Sequence, residues 1–108
     1  MRKIKVLSPT AILGYGFPVE SFEAGMALKP DVIAVDAGST DPGPYYLGAG
    51  IPFTDREAVK RDLSIITKGA LELNIPLIVG TAGGSGGERH LDWCMEIEKE
   101  VLAEAGNN

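Results

Sequence analysis

The feature that most restricts the fold of this chain is a unit used three times. Short apolar runs at residues 4–7 (IKVL), 32–35 (VIAV) and 75–79 (IPLIV) are each followed by small residues and then by a helical pattern. A strand-length apolar run before an amphipathic stretch reads as β-α, and three of them in series leave few topologies. Strands joined through helices run parallel, and their crossovers are right-handed. The expectation is an α/β fold: a three-layer open parallel sheet built from three β-α units, a Rossmann-like half. At 108 residues the chain is long enough for one core and too short for two, so residues 1–108 read as a single domain.

The helices are legible from their ends. Proline suits a first turn, so a helix is expected from Pro18 to Leu28, with Val19, Phe22 and Met26 on one face and Lys29-Pro30 stopping it. Thr54-Asp-Arg-Glu57 has the spacing of a capping box, followed by an apolar stripe of Val59, Leu63, Ile66, Ala70 and Leu73. Ser85-Gly-Gly-Glu88 repeats that spacing with Ser85 as N-cap, before Leu91, Cys94, Ile97 and Val101. Glu57 and Arg61 stand four apart in the favourable order for an ion pair. Residues 38–53 remain a long connection stiffened by Pro42, Pro44 and Pro52, in which Tyr45, Tyr46 and Leu47 supply apolar surface in need of a partner or ligand.

In open α/β sheets the ligand lies beyond the carboxyl ends of the strands. Three segments fall there: residues 8–16, 36–53 and 80–87. The segment DVIAVDAGSTD places Asp36 where the second apolar run stops, with Ser39, Thr40 and Asp41 close behind. Carboxylates and hydroxyls so spaced can orient a substrate hydroxyl, act as general base or hold Mg²⁺ through oxygen; an Asx or Ser/Thr turn is the competing reading. The segment GTAGGSGG leads from a strand into a helix, so its N–H groups and the helix N-terminus can hold a carboxylate, phosphate or oxyanion. It has neither the Walker lysine nor the spacing of the dinucleotide fingerprint. His90, the one histidine, stands in the first turn of that helix, either as an acid or base or as a solvent-facing helix residue. The candidate catalytic set is Asp36, Ser39, Thr40 and His90. The substrate-binding set is Ser8, Thr10, Gly14, Gly38, Asp41, Gly80, Thr81, Gly83, Gly84 and Ser85.

Composition narrows the partners. A net charge of −5 with dispersed basic residues repels phosphate backbones, which argues against nucleic acid. No run approaches a membrane span and no secretory h-region follows the basic start, so the expected setting is cytoplasmic. Cys94 is the one cysteine and lies on an apolar stripe, which reads as a core thiol; no Cys/His cluster has zinc spacing. The residues name no cofactor. The expected partner is a small molecule bearing a carboxylate, phosphate or CoA thioester.

The stretches LSPTAILGYGFPV, DVIAVDAGSTDPGPYYLGAG and IVGTAGGSGGERHLDW resemble the amino-terminal region of the acyclic terpene utilisation, or AtuA-like, family. The likeness spans nearly the whole chain, although the better-known members open on a GGxSGFWGD-type segment where this chain has SPTAILGYGFP. The resemblance implies an enzyme of catabolic clusters acting on carboxylates or CoA thioesters, by hydration or dehydration. Family members are several times longer, so it also implies that this chain is an amino-terminal portion. Two readings compete with it: a non-catalytic nucleotide- or phosphate-binding module, and a structural half that packs on a missing downstream domain or a second copy.

Overall fold

In the computed structural model, which describes residues 3–38 and 44–106, the three apolar runs become β1 (Val6–Leu7), β2 (Val32–Asp36) and β3 (Leu77–Gly80). They form one parallel sheet in the order β1-β2-β3. Val6 lies opposite Val32, Ile33 opposite Leu77 and Asp36 opposite Gly80. Pro76 precedes β3, and its carbonyl accepts the Ile33 N–H at 3.1 Å, so the proline costs the ladder no bond.

This register sorts the strand residues into two faces. Ile33 and Val35 are buried, and Leu7, Leu77 and Val79 pack against the same core. The alternate apolar positions are open on the outer strands, Val6 59% exposed and Ile78 57%, and half-buried at Val32 and Ala34 of the central one. The helices share the covered side. Phe22 from the first helix, Val59, Leu63 and Ile66 from the longest one, and Cys94, Ile97 and Val101 from the last join Ile33 and Val35 in one core. Successive right-handed crossovers that step in one direction must all lie on one face, which accounts for the arrangement. The described residues therefore make a two-layer α/β unit; the third layer expected from the sequence is not among them.

Helix α1 (Val19–Ala27) begins after Pro18 and ends at Leu28, as its punctuation implies. Helix α2 (Pro44–Ala49) falls inside the stretch expected to be an irregular connection. Proline at its first position needs no N–H donor, and Gly50, at φ +70°, closes it with its N–H on the Tyr46 carbonyl. Helix α3 (Arg56–Leu73) starts one residue later than the capping-box reading, because Asp55 and not Thr54 is its N-cap, accepting the Ala58 N–H at 3.1 Å. A carboxylate there also meets the positive end of the helix dipole. Asn74, left-handed at φ +54°, ends it.

Helix α4 (Glu88–Glu104) corrects a second cap: Gly87, not Ser85, is its N-cap, and no side chain caps it. Gly86 stands at φ +73°, which no first-turn residue can adopt, so the helix cannot start where the Ser85 spacing would have it. The expected Glu57–Arg61 pair is replaced as well. Glu57 lies 3.9 Å from Arg56, and Arg61 reaches Asp62 at 3.1 Å. Arg56 and Lys60 of α3 instead bind Glu100 and Glu104 of α4, a half-buried ionic seam between the two helices.

Candidate functional site

The carboxyl ends of the strands are laced together by backbone bonds. Leu13 N–H donates to the Asp36 carbonyl and Ala37 N–H to the Gly80 carbonyl, both at 2.9 Å. Asp36, at the end of β2, is exposed, and its Oδ1 accepts the Gly38 N–H at 2.7 Å. One oxygen of the carboxylate is thus committed to an Asx turn. A Cβ added to Gly38 would lie 2.8 Å from Thr81 Cγ2 and 3.2 Å from Asp36 Oδ1, so Asp36, Gly38 and Thr81 form one cluster. Thr81 is held at φ +51°. A β-branched residue there stores strain of about 1–3 kcal/mol, and such residues concentrate at functional sites.

The other candidates spread around this cluster. Ser8 is exposed, and Thr10 Oγ1 is engaged with Ile12, accepting its N–H and facing its carbonyl, both at 3.1 Å. Gly14 donates its N–H to Asp62 Oδ2 at 2.8 Å, and Gly16 does the same at 3.0 Å. Asp62 has no exposed surface, so this buried carboxylate of α3 pins residues 8–16 across the end of the sheet. Sequence reasoning missed it; the signal was a charged residue three after Val59 on the apolar side of α3. Gly83 and Gly84 are buried in a 3₁₀ turn (Ala82–Gly84), Gly83 against the His90 backbone and Gly84 against the Phe53 ring. Ser39, Thr40 and Asp41 lie outside the described residues.

His90 is not the solvent-facing residue that its position in a first turn suggests: it is 1% exposed. The apolar stripe of α4 runs His90, Cys94, Ile97, Val101, spacings of four, three and four, while Leu91 is 49% exposed. Its Nε2 stands 3.0 Å from the carbonyls of both Tyr46 and Ile51. Two acceptors fix Nε2 as the protonated nitrogen, and the ring ties α4 to the residues around α2. Nδ1 and the Ser85 hydroxyl are buried without a hydrogen-bond partner. A cavity of about 380 Å³ opens beside this ring, lined by Leu47, Gly48 and Gly50 on one side and Gly87, Glu88, Arg89 and His90 on the other.

Cys94 and Glu98 sit further along α4. Burial, assisted by Glu98, pushes the Cys94 thiol above its ordinary range, which suits a core residue and not a nucleophile. Burial likewise raises the Glu98 carboxyl, partly offset by the Thr67 hydroxyl 2.9–3.0 Å from its oxygens. Among the described residues no group of three His, Cys, Asp or Glu side chains is placed to hold a metal ion. No described helix is long and apolar enough to cross a membrane. Neither protein-family models, nor curated proteins, nor solved structures give a match to this chain.

Proposed function

We propose that this chain is the substrate-binding and catalytic portion of a cytoplasmic AtuA-like enzyme that hydrates or dehydrates a carboxylate or CoA thioester. The observation that carries the reading is the cluster of Asp36, Gly38 and strained Thr81 where β2 and β3 end. An exposed carboxylate with one oxygen anchored by its own turn is oriented, and the other oxygen can move a proton. The start of α4, which no side chain caps, supplies N–H groups for the oxyanion. Ser8, which is exposed, adds a hydroxyl to the polar lining in this reading. The sheet is then a Rossmann-like half whose open face, with Val6 and Ile78, receives its third layer from further chain.

The test is Asp36→Asn in the protein as it occurs naturally, assayed with a panel of enoyl-CoA and 3-hydroxyacyl-CoA thioesters. Asparagine keeps an oxygen for the Gly38 N–H, so the turn survives while the charge and the basic oxygen are lost. Turnover should fall by about 10²-fold or more with the melting temperature unchanged. Wild-type turnover in the variant refutes the assignment.

The open sheet face favours a second reading, in which the chain is a structural half. Sedimentation velocity over a concentration series tests it: self-association supports this reading, and a monomer that binds no apolar dye refutes it.

A further inference from the structure

We infer that the groove between the free edge of β3 and helix α4 binds an extended segment of another polypeptide as a fourth strand, with an apolar residue in the cavity beside the edge and a basic residue at Glu98. The first support is the edge itself. Pairing with β2 uses alternate residues of β3: the Pro76 carbonyl accepts the Ile33 N–H and the Gly80 carbonyl the Ala37 N–H. The N–H and C=O groups of Leu77 and Val79 therefore point away from the sheet, and no described residue bonds them. Native edges are usually kept short or guarded by lysine or proline. That holds for β1, which has two residues and the exposed Lys3 and Lys5 beside it. It does not hold for β3, which has four residues, Leu-Ile-Val-Gly, and no charge. Pro76 turns toward β2 and leaves the outer edge open, so β3 is a template for strand addition.

The second support is the flank of that edge. Leu77, Val79 and Ala82 on one side and Leu91, Met95 and Glu98 on the other line a cavity of about 220 Å³. Alternate side chains of a strand added to β3 project toward this space. Leu91 and Met95 stand one turn apart, each nearly half exposed, off the buried stripe of Cys94, Ile97 and Val101. Helix α4 thus offers apolar surface that its own core does not use. The third support selects the occupant. Glu98 is the one charged residue of the lining, and a single Thr67 hydroxyl faces both of its oxygens, at 3.0 and 2.9 Å. That hydroxyl has one proton to give, so the carboxylate can accept a further donor. A lysine or arginine of the incoming strand meets the need. A second copy offering its own β3 does not, because no Lys or Arg lies between Lys68 and Arg89, and the net charge of −5 favours a basic segment over another copy of the chain.

The probe is the peptide acetyl-Lys-Thr-Val-Thr-Leu-Thr-Val-Thr-Lys-amide, whose lysine, valine and leucine side chains share one face of a strand. It is titrated into the protein as it occurs naturally, with calorimetry and amide exchange as readouts. The peptide should bind and slow exchange at Leu77 and Val79. A strand on an edge bonds through one side only, so N-methylation of every second residue should weaken binding about tenfold or more in one of the two possible sets and not in the other. Norleucine in place of both lysines should weaken it about fivefold, and Glu98→Gln should erase that difference. Val79→Pro removes an outward N–H and no ladder bond, and should fold and lose the peptide. Met95→Lys, at a half-exposed position, sets a like charge beside the groove and should do the same, which decides the matter if the proline variant is unstable. No binding, equal loss from both methylated sets, or a lysine preference that survives Glu98→Gln overturns the inference. Protection of the Leu77 and Val79 amides before peptide is added overturns it as well: if it fades on dilution the edge belongs to a second copy, and if it persists, to a strand of the same chain.

Discussion

Gly83→Ala concentrates the packing argument in one methyl group. Gly83 stands at φ +76° and ψ 6°, where an L-residue with a Cβ pays about 1–2 kcal/mol. The added carbon would also lie 2.3 Å from the His90 carbonyl oxygen and 2.6 Å from both its carbonyl carbon and its Cα. Those atoms are helix backbone, so α4 must shift as a unit, and overpacking of this kind costs about 1–3 kcal/mol. The sum is about 2–5 kcal/mol, a third or more of the stability of many domains. Urea unfolding should show it as a lowered midpoint with an unchanged slope. Gly48→Ala is the control: it lies in α2, meets nothing within 4 Å, and should be neutral or slightly stabilising. A Gly83→Ala loss below about 1 kcal/mol would refute the close approach of the Ala82–Gly84 turn to α4.

Three further outcomes follow from the interior. Asp62→Ala strands the Gly14 and Gly16 N–H groups and should cost about 3 kcal/mol; amide exchange at those two glycines reads it, and unchanged protection contradicts it. Glu98 holds its proton more tightly folded than unfolded, so its contribution is fully present below the ordinary carboxyl pKa and is lost as pH rises through the raised one. Glu98→Gln should therefore melt higher than wild type at neutral pH and equal to it near about pH 4; a lower neutral-pH melt sinks the argument. Cys94, buried and with its thiol pKa raised, should react with iodoacetamide only as fast as the chain unfolds, and rapid labelling of the native protein would show the α4 packing to be wrong.

What could be read in advance follows from which forces are local. Apolar runs fix strands because burial of Ile33 and Val35 depends on residue type and spacing alone, and the same holds for the stripe of α3. Caps were misread where neighbouring residues compete. Asp55 displaced Thr54 because both can accept, and Gly86 moved the start of α4 past Ser85 by taking a positive φ that no spacing rule sees. Helix α2 escaped notice because six residues rich in aromatics and glycine carry little periodicity. His90 and Asp62 needed tertiary information: their polar atoms are buried against backbone groups 39 to 48 residues away in the chain. The gathering of Asp36 with Thr81 lies between these cases, since parallel pairing predicts a common edge but not the contact around Gly38.

The β1-β2-β3 order has a consequence for how the molecule comes into being. Each strand pairs only with its predecessor or successor in the chain. Each pairing still closes a loop that holds a helical crossover, from Val6 to Val32 and from Ile33 to Leu77, but no strand has to insert between two that are already paired. During synthesis β2 can dock on β1 while β3 is still unmade, and β3 then adds at a free edge without reopening what has formed. The order of the strands across the sheet is thus the order in which their residues are translated.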